Sequence, residues 1–200
     1  MSVIKTLIIS SLINLDNVSL FQFLISRPSF TGLVVGYLNN TVMEGFILGV
    51  LIEFLFLDFV PIGGVPLPNP SISTTISILI LPYYNGEIYI PFFIGILVGE
   101  VYSYIEAFTR NFKVIFNKMI ERRFMNYNFF VSDVILYSLA IDVIVYIIYG
   151  FVMFKIFSFL SFYLNTLYLK NVFRIAMVGS VFISLSSLFF KFKTQVSKNE

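Results

Sequence analysis

Glu53 lies inside an apolar run, GFILGVLIEFLFLDF at 45–59, where its carboxylate would have no water to solvate it. A carboxylate in a membrane span costs several kcal/mol unless it is paired or solvated, so such a residue asks for a partner or a ligand. Gly45, Gly49 and Glu53 recur every four residues. On a helix they share one narrow stripe. Small residues at that spacing let helices approach closely in lipid. Glu53 is therefore expected to face a helix interface or a cavity, not lipid. Two readings of it stand: a substrate-binding carboxylate, and a structural acceptor for backbone amides that have lost their helical partners.

Those amides are close by in sequence. The run breaks into VPIGGVPLPNP at 60–70 and resumes as SISTTISILIL at 71–81. Pro61, Pro66, Pro68 and Pro70, with Gly63 and Gly64, cannot sit in one continuous helix. Broken backbone between membrane-grade segments survives where protein or a wet cavity satisfies its polar groups. Discontinuous helices of this kind line substrate paths in transporters. Glu53, Gly63, Gly64, Pro68, Asn69, Ser71, Ser73 and Thr74 are accordingly the candidate substrate-binding residues. Asn69 and the hydroxyls are neutral donors and acceptors, which suit an uncharged polyol. Capping and helix packing explain the same residues without a ligand. Asp58 lies about 140° around the helix from Glu53 and reads as an interfacial or capping carboxylate. Asp133 and Asp142, nine apart, fall on opposite helix faces and form no pair with each other; Asp142 is the deeper of the two, a packing or gating candidate.

Composition sets the class. Of 200 residues, 58% are hydrophobic and 12% charged, and mean hydropathy is +0.92. A soluble domain carries about 25% charged residues. The chain is expected to be an all-α integral membrane protein in contact with the lipid bilayer. Net charge of +2 gives no case for nucleic acid. There is no Cys and no His. Disulfides, thiolate chemistry, His-based metal sites and phosphohistidine intermediates are excluded. Neither a G-x-S-x-G elbow nor a P-loop occurs, so the chain is expected to have no catalytic residues and no cofactor of its own. The N-terminus, MSVIKTLIISSLINL, lacks a small-residue cleavage site before Asp16 and reads as a retained membrane element.

The elements that must position these residues follow from hydropathy and breakers. Short apolar helices are expected at 1–15 and 28–39, with a turn at Asn39-Asn40. A helix at 43–59 precedes the break. Asn69 suits an N-cap, with Pro70 at the first helical position. The helix from Pro70, stopped by Pro82, is too short to cross a bilayer and reads as a re-entrant half-helix with free amides at its start. Another span is expected at 88–105, with Gly95 and Gly99 four apart. A separate basic, amphipathic helix follows at 106–128, holding Arg110, Lys113, Lys118, Arg122 and Arg123. Spans near 130–154 and 172–190 enclose an outer connector at 156–171. The Lys/Arg bias places both the basic helix and the tail after Lys191 in the cytoplasm. In all, five to six membrane elements, including short and broken ones, plus the amphipathic helix, form one membrane-embedded domain over 1–200. Its parts are a broken-helix half at 1–105, the basic helix at 106–128, and the last spans and tail at 129–200.

From Leu15 to about Leu81 the chain resembles the membrane permease subunit IIC of the mannose/sorbose-type bacterial phosphotransferase system. That family reads, in outline, as an Arg-Pro-led Gly-rich short helix, then G-x3-G-x3-E, an Ile-Gly pair, and Pro-Asp opening a small-residue helix. The matching positions are Arg27-Pro28, Gly36, Gly45, Gly49, Glu53, Ile62-Gly63 and Pro68-Asn69. Three positions depart from the pattern. Asn69 replaces the family's Asp, Asp58 replaces a usual Gly, and Asn39-Asn40 stands where the turn usually ends Gly-Asp. The further membrane segments usual in the family do not follow Phe192, so a member shortened at the C-terminus is expected. The resemblance implies a multi-pass permease of the bacterial inner membrane. It would bind a hexose near mid-membrane and present it to phosphorylating subunits. It implies a IID membrane partner, soluble IIA and IIB subunits that carry phosphate on their own histidines, and an oligomer. Two alternatives have the right size: the substrate-binding membrane component of a vitamin or metal importer, and a degenerate, non-transporting membrane subunit.

Overall fold

The computed structural model describes residues 3–18, 25–57, 66–124, 131–164 and 167–196, and their side chains apart from those of 17–18, 115–134, 162–170, 192 and 194–196. The described residues are helical almost throughout. In chain order they form α1 (Val3–Val18), α2 (Pro28–Leu38), α3 (Val42–Phe56), α4 (Pro70–Ile80), a 3-10 turn (Leu81–Tyr84), α5 (Tyr89–Phe124), α6 (Val131–Leu164) and α7 (Leu167–Val196). Three segments are long and apolar enough to cross a bilayer: Tyr89–Val114, Ile135–Ser161 and Asn171–Lys191.

The short helix α4 sits at the centre. It contacts α1, α2, α3, α5 and α6, and every side chain from Ser71 to Ile80 is buried. Five of those ten are Ser or Thr, which would ordinarily resist such burial. Four of the five satisfy their hydroxyls on the helix itself. Ser73, Thr74, Thr75 and Ser77 each donate to the carbonyl four residues back, all at 2.9 Å. Small side chains that carry their own partners let neighbours come close. Ser73 and Ser77 face Gly99 and Gly95 of α5, where a Cβ would collide with their hydroxyl oxygens. At 11 residues, α4 rises about 16 Å, roughly half the bilayer core. On either side of it lie two apolar clusters. Leu7, Ile72, Ile76, Tyr102, Tyr146 and Tyr149 belong to one; Val35, Leu48, Ile52, Ile78, Phe92 and Met177 belong to the other.

Helices α2 and α3 form a hairpin with very close backbones. A Cβ on Gly45 would lie 2.6 Å from the Gly32 carbonyl oxygen and 2.9 Å from the Gly36 Cα, and one on Gly49 would collide with the Pro28 carbonyl. The expected Asn39-Asn40 turn closes the hairpin. Asn40 takes a left-handed φ of 59°, which Asn tolerates better than most residues. Thr41 N–H donates to the Gly36 carbonyl at 2.9 Å, and Asn40 N–H to Tyr37 at 3.3 Å. These two bonds satisfy the last carbonyls of α2 in a Schellman arrangement.

Two boundaries differ from the sequence expectation. The span at 88–105 and the basic helix at 106–128 are one helix, α5, of 36 residues. Nothing between Glu100 and Phe124 breaks a helix, since the stretch has neither Pro nor Gly. A change from apolar to charged side chains alters the helix's surroundings without interrupting its backbone hydrogen bonds. The connector at 156–171 is likewise mostly helical: α6 continues to Leu164 and α7 begins at Leu167. Ser158 and Ser161 donate to carbonyls three residues back, which lets them ride in the helix. Of the broken segment, residues 66–69 are non-helical and Pro68 and Asn69 are buried. Asp58, Pro61, Ile62, Gly63 and Gly64 lie outside the described residues.

Candidate functional site

Asn69 is where the broken backbone becomes helix again. Its ψ of 109° is extended, and Pro70 follows at the first helical position. Its Oδ1 accepts the N–H of Ser71 at 3.1 Å and of Ile72 at 3.2 Å. The free amides expected at this helix start are thus already taken. The capping residue meets the need itself, because its short side chain folds back onto the first turn. With Oδ1 committed, the side chain faces its surroundings as a donor. Asn69 Nδ2 donates to Asn14 Oδ1 on α1 at 2.9 Å and to Glu106 Oε2 on α5 at 3.3 Å. Its backbone N–H donates to the Gly99 carbonyl at 3.2 Å. One residue therefore ties together α1, α4 and α5.

Ser71 has a different standing from its neighbours. Its hydroxyl is buried and donates to no α4 carbonyl; it faces the Tyr146 phenol, as does Ser10. Tyr146 OH donates to Thr75 Oγ1 at 3.1 Å. Ser73 and Thr74, by contrast, spend their protons on α4 carbonyls.

Glu53 lies on the predicted stripe, and that stripe faces α2. Its Oε2 accepts the N–H of Ser29 at 3.2 Å, and its Oε1 pairs with Arg27 Nη1 at 3.3 Å. The donors expected for it were the amides of 63–69. Among the described residues its donors are at the start of α2, where an N-terminus offers orphan amides and a positive dipole end; the amides of 63–65 lie outside those residues. The close approach of Gly49 to Pro28 brings Glu53, one turn further along α3, level with that end. No bond joins Glu53 to Asn69 among the described residues. The two are linked indirectly at the end of α1. Asn14 meets Asn69, while Asp16 Oδ2 accepts the N–H of Ser26, next to Arg27, at 3.2 Å.

The sequence reading names neither Asn14, Glu106 nor Tyr146, and takes Lys113 only as one of the basic residues of α5. Glu106 Oε1 also pairs with Arg110 at 3.3 Å. Lys113 and Asp142 form a mostly buried ion pair between α5 and α6, which gives Asp142 its partner. A signal for Glu106 and Lys113 was present. Counted along one continuous helix, Gly99, Glu106 and Lys113 recur every seven residues and share a face. Splitting the helix at 106 hid that stripe.

Helices throughout the described residues, three of them with segments long and apolar enough to span a bilayer, with the buried short helix α4 enclosed among them, define an all-α integral membrane protein. The family model described as the sorbose-specific IIC component of the PTS system matches residues 1–186, and the chain belongs to that family. It is thereby the sugar-translocating membrane component of a sorbose/mannose-type phosphotransferase system, with a sugar substrate and partner subunits of that system. The importer alternative is not favoured. A solved structure described as a membrane protein shares the fold with a TM-score of 0.78 at 19% identity, over 95% of this chain and 77% of that chain. No curated protein matches the sequence.

Proposed function

We propose that this chain carries a hexose through the bacterial inner membrane as a multi-pass permease, alongside a IID membrane subunit in an oligomer. Soluble IIA and IIB subunits phosphorylate the sugar, and the chain performs no catalysis alone. The sugar binds at the start of α4, against Asn69 and Ser71, with Pro68 of the broken segment beside it. Glu53 holds the adjoining end of α2 and lines the same region. Ser73 and Thr74 shape the wall. The observation that carries this reading is the buried, uncharged start of the half-helix, where Asn69 caps α4 and turns its amide donor outward beside the Ser71 hydroxyl. A neutral polyol can exchange hydrogen bonds with such groups without adding a charge to the membrane interior.

The test is reconstitution. Proteoliposomes holding this chain with IID, and supplied with IIA, IIB and a phosphoryl donor, are expected to accumulate a phosphorylated hexose. Omission of either the chain or the soluble subunits is expected to stop accumulation. Uptake of free sugar at full rate without IIA and IIB would count against the proposal. So would tight binding of a vitamin or metal by a chain that binds no hexose.

A further inference from the structure

Among the described residues, α5 and α6 meet through two kinds of contact. Toward the start of α5, Tyr149 OH donates to the Val98 carbonyl at 2.7 Å, and the Tyr102 ring lies against Tyr146 and Tyr149. Toward its basic end the contact is ionic. Lys113 pairs with Asp142, their side chains 12% and 9% exposed. Lys113 stands two turns beyond Glu106, which meets Asn69. Asp142 stands one turn before Tyr146, whose phenol faces Ser10 and Ser71. Both members of the pair are thus displaced from the start of α4 in the same direction, toward the end of the bundle that the Lys/Arg bias places in the cytoplasm. Lys113 is next to last in the crossing segment Tyr89–Val114. The pair therefore lies just inside the membrane boundary, roughly 10 Å along α5 from Glu106.

Fixed packing does not call for charge at this place. A buried ion pair recovers little beyond its own desolvation cost, and well-packed apolar residues often serve stability as well. The two kinds of closure differ in how they meet water. Water entering between separated charges solvates both of them, whereas water entering between apolar side chains meets surface it hydrates at a cost. A charged closure in a membrane span therefore opens cheaply once its surroundings become wet, and ionisable residues at such depth mark substrate and ion pathways. We propose that the Lys113–Asp142 pair is the cytoplasmic gate of the sugar path. Closed, it holds the basic half of α5 against α6 and shuts the passage between the start of α4 and the cytoplasm. Open, the two charges separate into water and the hexose leaves toward the phosphorylating subunits. Arg110, one turn before Lys113, is occupied by Glu106 in the closed arrangement, so the latch rests on Lys113. The inference rests on the permease reading above and adds to it the residues that control release.

The experiment reads access from each side of the membrane. Ser71→Cys is introduced into the whole chain, which has no Cys of its own. Its reaction with an impermeant thiol reagent is timed in inside-out and in right-side-out membrane vesicles. Lys113→Met/Asp142→Asn removes both charges. It is expected to speed labelling from the cytoplasmic side about tenfold or more, since a closed two-state element leaves its open form only about 0.1–10% populated. The rate from the outer side is expected to stay as it was. Unchanged rates on both sides overturn the inference. An equal rise on both sides overturns it too, because that pattern belongs to a bundle loosened throughout. If the variant fails to fold, Lys113→Cys/Asp142→Cys serves instead. Bridging its two thiols with a short, reducible bifunctional reagent is expected to stop hexose uptake in the reconstituted system, and reduction is expected to restore it. Uptake that continues through the bridged form overturns the inference. Uptake by the wild type separates the two readings. A chain that takes up hexose while failing these tests loses the gate alone, and one that takes up none overturns the permease reading and the gate together.

Discussion

Glu53 on α3 accepts the backbone N–H of Ser29 at 3.2 Å and thereby caps a helix it does not belong to. The N-cap position of α2 is Arg27, whose side chain cannot accept and makes no capping bond. The hairpin supplies the absent acceptor from its other arm. Arg27 then pairs with the same carboxylate, although it is half exposed and contributes little by itself.

Replacing Glu53 tests that arrangement. Glu53→Ala is expected to destabilise the protein by about 1–2 kcal/mol, the usual cost of a lost cap. Glu53→Gln, which retains an acceptor, should cost less. Thermal unfolding in detergent measures both. If Glu53 also lines the sugar site, the folded Gln variant will show weakened hexose binding. Unaltered binding would leave the cap as its whole role.

The glycine contacts of the α2–α3 hairpin make a sharper stability prediction. Gly49→Ala places a Cβ against the Pro28 backbone, and Gly45→Ala places one against Gly32 and Gly36. Backbone cannot swing aside as a long side chain can. Each change is expected to cost about 1–3 kcal/mol through forced separation of the helices. Gly179→Ala, with nothing within 4 Å, is the control and should be neutral or slightly stabilising. Equal melting temperatures for all three variants would show that the hairpin is looser than described.

Lys113 and Asp142 offer a double-mutant cycle. Removing one member of a buried pair strands the other charge, at about 3–5 kcal/mol. Lys113→Met and Asp142→Asn are each expected to destabilise markedly. The double variant should be milder than either single one, because no uncompensated charge remains. Additive losses would falsify the pairing as an energetic unit.

Orientation is testable because the chain has no Cys. A single Cys placed at Asn117, on the basic end of α5, should resist an impermeant thiol reagent in intact cells and react after the membrane is opened. A Cys placed after Lys191 should behave in the same way. Labelling of either in intact cells reverses the proposed topology.

Much of this architecture is local and therefore legible in the sequence. Composition alone demands a membrane protein. Asn69-Pro70 starts α4 because Pro fixes its own φ and Asn can cap two amides; both properties belong to the residues themselves. Asn39-Asn40 makes its turn for a similar reason. The four-residue spacing of Gly45, Gly49 and Glu53 identified a contact face correctly, since helical periodicity needs no partner to be read. Tertiary structure decided which partner meets that face, because a stripe encodes closeness but not identity. That is why Glu53 serves α2, whose Ser29 amide comes to it from 24 residues away. It also decided that Glu106 comes to Asn69. Their bond joins positions 37 residues apart, and only the unbroken course of α5 past Gly99 carries Glu106 to the half-helix. No rule of local periodicity contains that distance; it exists once α1, α4 and α5 have packed around one asparagine.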